Sequence, residues 1–208
     1  MSSKKATKAT GRKGQYQYIQ NEKMRRLIKT ILFFMPSLIL LIVGIHIYET
    51  RENILTVFAI LFCLPAGKQM VGLIMMWMYK SMSPDLYQKI SQKQGSLTMV
   101  YETVLTNYEK NTYVDAWAIC GNQVIGYTSS EKADIKYAEE QTQKILRHNG
   151  YNVNVKIFKD VKPYLERLDT LNEHAESLRA DISFTPDEKY PDLSREEMIR
   201  HTILIISL

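Results

Sequence analysis

Two long apolar runs near the N-terminus constrain this chain more than any other feature. The first covers Leu27 to Tyr48 and has no charged residue after Lys29, and the second covers Ile54 to Tyr79. As helices rising ~1.5 Å per residue, both runs are long enough for a hydrocarbon core ~30 Å thick. The connector at residues 49–53 is too short to form a domain. The sequence therefore predicts a transmembrane hairpin with spans at about 27–48 and 54–79.

Charge divides the chain into two parts. Residues 1–82 carry 12 Lys and Arg against 3 acids, a net charge of +9, whereas residues 83–208 carry 15 against 19, a net charge of −4; together they give the net charge of +5. Basic residues precede the first span, with Arg25, Arg26 and Lys29 closest to it. The positive-inside bias then predicts a multi-pass protein of the inner or plasma membrane with both termini in the cytoplasm.

The N-terminal tail, residues 1–26, is rich in Lys, Ser, Thr, Gly and Gln and has no apolar periodicity, so we expect it to be disordered. Its basic residues predict attraction to anionic lipid headgroups, worth about 1 kcal/mol per charge near the surface. Nucleic acid is disfavoured as a partner because the part of the chain expected to fold, after residue 82, is acidic.

Lys68 is a charged residue inside the second apolar run. If the hairpin turns near residues 50 and 51, Lys68 lies about four residues, or ~6 Å, deeper than Lys29. A lysine side chain can span that distance, so Lys68 is expected to reach the cytoplasmic interface. The alternative is a functional lysine that faces a pore, a partner acid or a lipid phosphate. Trp77, near the end of the second run, is typical of the interfacial aromatic belt.

Residues 83–208 predict an α/β domain of the order βββαβα, with a mixed sheet and two helices on one of its faces. Alternation and β-branched residues predict strands in 96–107, 112–120, 123–129 and 151–160, and Gly121-Asn122 predicts a tight hairpin turn. Helices are expected at 130–149, where Glu139 and Glu140 are interpreted as a solvated face, and from Asp160 through Leu178. Ser194 and Glu197 form a capping-box pattern, but the pattern of 194–208 fits a helix or a strand equally.

Few residues point to chemistry. Cys63 and Cys120 lie far apart and are expected to be reduced and buried, and no motif for a metal or a cofactor is present. The element order, with Asp115 in its central hairpin, resembles that of restriction-endonuclease-like cores. That resemblance implies a metal held by two carboxylates, Asp115 and the Glu of a Glu-x-Lys on the next strand, with the lysine helping to position or activate the attacking water. This sequence has Ile125-Gly126-Tyr127-Thr128 there.

These features predict a non-enzymatic adaptor or anchoring subunit whose domain binds another protein, with no cofactor. A membrane-bound hydrolase, or a degenerate nuclease-like domain, is a second possibility, with Glu102 and Asp115 as its weak catalytic candidates. A small transport-associated component that uses Lys68 is a third. The domain organisation that follows is a tail at 1–26, a hairpin at 27–82 and an α/β domain at 83–208.

Overall fold

The computed structural model describes residues 13–50, 52–106, 111–180, 182, 184 and 190–208. The chain forms two compact units, of which one is residues 19–80 and the other combines Ser81–Leu208 with the residues up to Tyr18. The elements in chain order are α1 (Tyr18–Tyr48), α2 (Ile54–Trp77), α3 (Pro84–Gln92), β1 (Thr98–Thr106), β2 (Asn111–Cys120), β3 (Gln123–Tyr127), α4 (Ile135–His148), β4 (Asn154–Phe158), α5 (Val161–Glu173), α6 (Ala175–Ala180) and α7 (Arg195–Ile205).

The first unit is a pair of long antiparallel helices, α1 and α2, and both are long and apolar enough to cross a membrane. Most of their large apolar side chains are exposed. Small and polar residues lie where the two helices meet: the Ser37 hydroxyl donates to the Ala59 carbonyl at 2.7 Å, and Ala66 is fully buried. Asn53 begins α2 by accepting a hydrogen bond from the Thr56 N–H at 2.9 Å. Small residues allow this close backbone approach, which is a common way for helices to pack in lipid.

The N-terminal segment differs from the expected disordered tail where the structure describes it. Residues 1–12, which contain several of the predicted basic residues, lie outside the described part. Helix α1 begins at Tyr18, well before Leu27. Ahead of it, the carbonyl of Gly14 accepts a hydrogen bond from the Tyr101 N–H at 2.9 Å, and the Tyr16 ring stacks on Tyr87 with centroids 4.0 Å apart. Aromatic contact and backbone pairing order this segment although its composition is polar.

The second unit contains a four-stranded mixed sheet in the order β1-β2-β3-β4. The first three strands form an antiparallel meander, and β4 runs parallel to β3 after the α4 crossover. The predicted two-residue turn is confirmed, because Cys120 pairs with Gln123 and Gly121 has a φ of +56°. An added Cβ at Gly121 would lie 2.2 Å from the Leu178 carbonyl oxygen, so glycine is required there.

The two faces of the sheet carry separate cores, one packed by α3, α5 and α6 and the other by α4 and α7. The expectation that the two helices after the meander cover one face is therefore wrong. A parallel β3–β4 pair requires the α4 crossover on one face, and the chain leaving β4 then returns as α5 on the other. Each core uses one large fully buried aromatic residue, Tyr164 on the α5 face and Trp117 on the α4 face.

The C-terminal segment resolves the choice between helix and strand. Ser194 and Glu197 form the predicted capping box at the start of α7, and the helix is followed by a single bridge between Ser207 and Leu105. The helix predicted from Asp160 through Leu178 is instead two helices, because α5 ends at Glu173 and α6 begins at Ala175.

Both edge strands of the sheet form hydrogen bonds with other segments of the same chain. On β1, Gly14 bonds Tyr101, and the Leu208 N–H donates to the Val104 carbonyl at 2.8 Å. On β4, the Glu139 carboxylate accepts from the Ile157 N–H at 2.6 Å; Glu139 thus caps an edge strand and does not belong to a solvated face. Covered edges disfavour strand-to-strand pairing with other chains.

Candidate functional site

Glu102, one of the two weak catalytic candidates, is a buried carboxylate in the middle of strand β1, 1% exposed. It accepts a hydrogen bond from the Met82 N–H at 3.1 Å and another from the Ser81 hydroxyl. Ser81 and Met82 are the first residues of the α/β unit after helix α2. The Glu102 carboxylate therefore holds the point where the chain enters this unit from the hairpin.

The backbone of Glu102 is in the left-handed region, with a φ of +50°, which is uncommon for a residue other than glycine. This conformation reverses the alternation of β1. Tyr101 belongs to the α5-side core and Leu105 to the α4-side core, although residues four apart on a regular strand share a face. As a result Glu102 turns toward Met82 on the α5 side, whereas regular alternation would place it on the same face as Val100, which belongs to the α4-side core.

Asp115, the other candidate, lies across from Glu102 on β2, because the flanking residues pair as Tyr101 with Ala116 and Thr103 with Val114. The structure thus brings the two carboxylates together. Asp115 is 1% exposed and accepts a hydrogen bond from the Ser129 N–H at 2.6 Å. Burial raises the pKa of Asp115, and the nearby charge of Glu102 adds to this effect, while contacts with Ser129 and Tyr113 oppose it.

Tyrosine side chains surround the two carboxylates on the α5 side of the sheet. Burial raises the pKa values of Tyr101, Tyr113, Tyr127 and Tyr164, and the charge of Asp115 contributes at the last three. These phenols therefore stay neutral over the physiological pH range. The Tyr101 hydroxyl donates to Gln94 at 3.0 Å, whereas the Tyr164 hydroxyl is buried with no partner in the described part of the chain.

The resemblance to restriction-endonuclease-like cores requires a second carboxylate and a lysine on β3, the strand next to Asp115. Residues that pack in the core occupy those positions instead. Ile125 and Tyr127 belong to the α5-side core. Gly126 makes room for the neighbouring Trp117 ring, since an added Cβ would lie 2.9 Å from it. Among the described residues, no group of three or more His, Cys, Asp or Glu side chains is placed to hold a metal ion.

No family model, curated protein or solved structure matches this chain.

A second group of predicted residues lies at the end of the hairpin opposite its connector. Arg26 forms an ion pair with Glu22 at 3.1 Å and donates from its guanidinium to the Gly72 carbonyl at 2.9 Å. Arg25 and Lys29 are exposed. Trp77 is 61% exposed, and the Lys23 ammonium lies 5.8 Å from its ring centroid. Cations and an exposed indole at one end of a hairpin are typical of a membrane–water interface.

Lys68 lies in the same zone. Arg26 meets Gly72, and further along the hairpin Ser37 meets Ala59 and Cys63. Between these two contacts, Lys68 on α2 lies at the same height along the hairpin as Thr30 on α1, one residue from Lys29. Lys68 is exposed on α2. Its level is therefore closer to Lys29 than the turn-based count from the sequence indicated, which favours a side chain that reaches the interface.

The sequence did not identify the residues that meet Glu102 and Tyr101. Ser81 and Gly14 are ordinary polar and flexible positions in a linear reading, and only the folded sheet brings them to consecutive residues of β1. It also missed Glu196, whose carboxylate pairs with Arg179 at 2.8 Å and accepts from the Gly121 N–H at 2.9 Å. Its position beside the capping-box residue Glu197 was the only signal available.

We predict opposite effects of pH for two carboxylates of the α/β unit, the buried Asp115 and the half-buried Glu196. Asp115 has a raised pKa, so its contribution to folding is present at acidic pH and is lost as the pH rises through its folded-state pKa. Asp115→Asn should therefore stabilise the domain at pH 7, with a gain that shrinks toward acidic pH. The measurement is urea unfolding of the full-length protein in lipid nanodiscs, followed by Trp117 fluorescence in a Trp77→Phe background.

The matched variant is Glu196→Gln. The pKa of Glu196 is lowered through its hydrogen bonds with Arg179, Gly121 and Thr98, which outweigh the effect of burial, so its contribution is present above its unfolded-state pKa and is lost as the pH falls. Glu196→Gln should destabilise the domain at pH 7 and lose this effect at acidic pH. The same sign for both variants at pH 7 would contradict the assignment.

For Lys68 we expect Lys68→Arg and Lys68→Gln to leave membrane insertion and protein level unchanged, because either side chain can place a polar end at the interface. Lys68→Met should insert equally well. The measurement is the amount of protein in carbonate-washed membranes, together with growth or whatever phenotype deletion of the gene produces. If Lys68→Met inserts normally but shows the deletion phenotype, the transport component is favoured instead.

Proposed function

We propose that this chain is a multi-pass protein of the inner or plasma membrane whose cytoplasmic α/β domain serves as a non-enzymatic adaptor or anchoring subunit for another protein. The hairpin holds the domain at the bilayer, and the basic residues at its base contact anionic headgroups. The observation that carries this proposal is the attachment of both chain connections to neighbouring residues of one strand: Gly14 bonds Tyr101, and Ser81 and Met82 bond Glu102.

This attachment supports the proposal in two ways. Residues 13–18 and Ser81 onward belong to one compact unit, which supports a topology in which both ends of the hairpin emerge on the same side of a membrane. In addition, the Glu102 carboxylate already accepts hydrogen bonds from Ser81 and Met82, which makes it a poor candidate for contacting a substrate. Within the α/β unit, these bonds fix both chain connections to one strand, which suits a protein that positions a partner.

A membrane-bound hydrolase or degenerate nuclease-like domain remains the second candidate, favoured by one observation. The meander is followed by α4, a parallel β4 and α5, which is the element order on which the resemblance rests, and Asp115 lies on β2 of the central β2–β3 hairpin. The replacement of the neighbouring carboxylate and lysine by Ile125 and Tyr127 counts against it. Isothermal titration of Mg²⁺ or Mn²⁺ into the full-length natural protein and into Asp115→Asn separates the two candidates. Metal binding that requires Asp115 favours the hydrolase.

The proposed topology predicts a specific labelling pattern. In a background with Cys63→Ala and Cys120→Ala, a membrane-impermeant maleimide should label Thr50→Cys in intact cells, because the connector lies outside. Glu131→Cys, which is exposed on the domain, should be labelled only after the membrane is permeabilised. The reverse pattern would mean that the domain lies outside and the connector lies in the cytoplasm. Labelling of both positions in intact cells would rule out the hairpin.

The adaptor function predicts a partner that contacts the domain. A photo-crosslinking amino acid placed at Lys132, Glu140 or Arg167 of the full-length protein should capture the same protein in its own membrane from at least one position. The comparison position is Met70 on the hairpin. Capture from Met70 alone would favour a membrane-embedded function, and no capture from any position, together with metal binding that requires Asp115, would favour the hydrolase.

A further inference from the structure

Helix α4 carries a groove that neither the carboxylates nor the hairpin uses. One of its faces, at helical spacing, contains Tyr137, Gln141, Ile145 and His148, and the groove is completed by the end of β1 and by the residue after α7. Its volume is about 580 Å³, within the range of ~300–1,000 Å³ that is usual for ligand sites. The lining residues are Thr106, Tyr137, Gln141, Lys144, Ile145, Arg147, His148 and Ile206.

The groove combines an apolar floor with a basic rim. Ile145, Ile206 and the Tyr137 ring are half-buried, whereas Lys144, Arg147 and His148 are exposed. None of the lining residues that the structure describes is acidic. Within the described ranges, neither Lys144 nor Arg147 has an ion-pair partner. The rim is therefore a concentration of positive charge on a domain whose sequence from residue 83 onward has a net charge of −4.

Basic residues at a helix C-terminus interact favourably with its carbonyl groups, but here three of the last four carbonyls of α4 accept hydrogen bonds from other groups. The Asn149 side chain donates to the Ile145 carbonyl at 2.8 Å. The N–H groups of Gly150 and Tyr151 donate to the carbonyls of Arg147 and Leu146 at 3.0 and 2.9 Å. In the described part of the chain, neither Lys144 nor Arg147 forms a hydrogen bond to these carbonyls, and both side chains are exposed.

We propose that this groove binds an acidic segment of the partner protein, in which carboxylates flank an apolar side chain. The inference rests on the adaptor function and names the surface and the chemistry of its partner. Carboxylates would meet Lys144 and Arg147 at the rim, where complementary charge directs encounter and register. The apolar side chain would cover Ile145 and Ile206 on the floor. A concave groove suits an inserted segment better than a flat bilayer, and the acidic domain around it disfavours nucleic acid.

The first test selects peptides from a displayed library of random heptapeptides. The target is the full-length protein in phosphatidylcholine nanodiscs, with counter-selection against Lys144→Glu/Arg147→Glu. The matched control is Lys132→Glu/Lys136→Glu, which makes the same charge change at exposed positions outside the groove. Retained peptides should contain Asp or Glu around an apolar residue. Their affinity, measured by fluorescence anisotropy, should fall at least about tenfold in the groove variant and less than about twofold in the control, where tenfold corresponds to ~1.4 kcal/mol.

Three results would overturn the groove assignment. Equal loss in both double variants would mean that the peptides respond to overall charge. If the retained peptides are neutral, or if none of them binds more weakly to the groove variant, the groove does not select acidic segments. Weaker sedimentation of the groove variant with phosphatidylglycerol vesicles, without any retained peptide, would make the surface a lipid contact.

The second test separates this inference from the adaptor function. The partner captured by crosslinking in the membrane is compared between the natural protein and Lys144→Glu/Arg147→Glu, with the crosslinker at Gln141 and at Arg167. Loss of capture at Gln141 in the groove variant supports the groove. Unchanged capture at Gln141 and Arg167 leaves the adaptor function standing and contradicts the groove, and no capture from the natural protein at either position contradicts the adaptor function itself.

Discussion

The hydrogen bonds that the Glu102 carboxylate accepts from Ser81 and Met82 are the interaction on which the remaining architecture depends. They hold the chain where it leaves the hairpin, next to the residue that bonds Gly14 on the other connection. A buried carboxylate without such donors would be costly, because its charge is removed from water. The left-handed backbone of Glu102 is what turns the carboxylate to the face where those donors lie.

The same backbone reversal explains how two acids come to be buried in one small core. Glu102 and Asp115 face each other across β1 and β2, and the tyrosines around them remain neutral and exclude water. Such a pair can be a vestige of catalysis or a structural device. The engagement of Glu102 with the chain connection and the packing roles of Ile125, Gly126 and Tyr127 favour the structural device, and they direct attention to the outer surfaces of the domain, where the α4 groove lies.

Local patterns were sufficient for much of the fold and for little of the site. The turn at Gly121, the start of α7 at Ser194 and the four strands follow from turn chemistry, capping and alternation, which act over a few residues. The side of the sheet that each helix covers does not, because it depends on the crossover between β3 and β4. Glu139 is a second example, because next to Glu140 in the sequence it is interpreted as an acid exposed to solvent. In the folded chain it lies beside the edge of β4, where its carboxylate accepts a hydrogen bond from the Ile157 N–H.

The sequence by itself determined two membrane-length apolar helices, a basic N-terminal side and a mixed α/β domain, since hydrophobic run length, charge and short-range periodicity are properties of consecutive residues. Only the tertiary structure decided that Lys68 lies level with Thr30, that residues 13–17 pack on β1 instead of remaining a loose tail, and that Lys144 and Arg147 rim a groove floored by Ile206. Each of these brings together residues far apart in the chain, and the energy that selects such contacts comes from burial and pairing in the folded state.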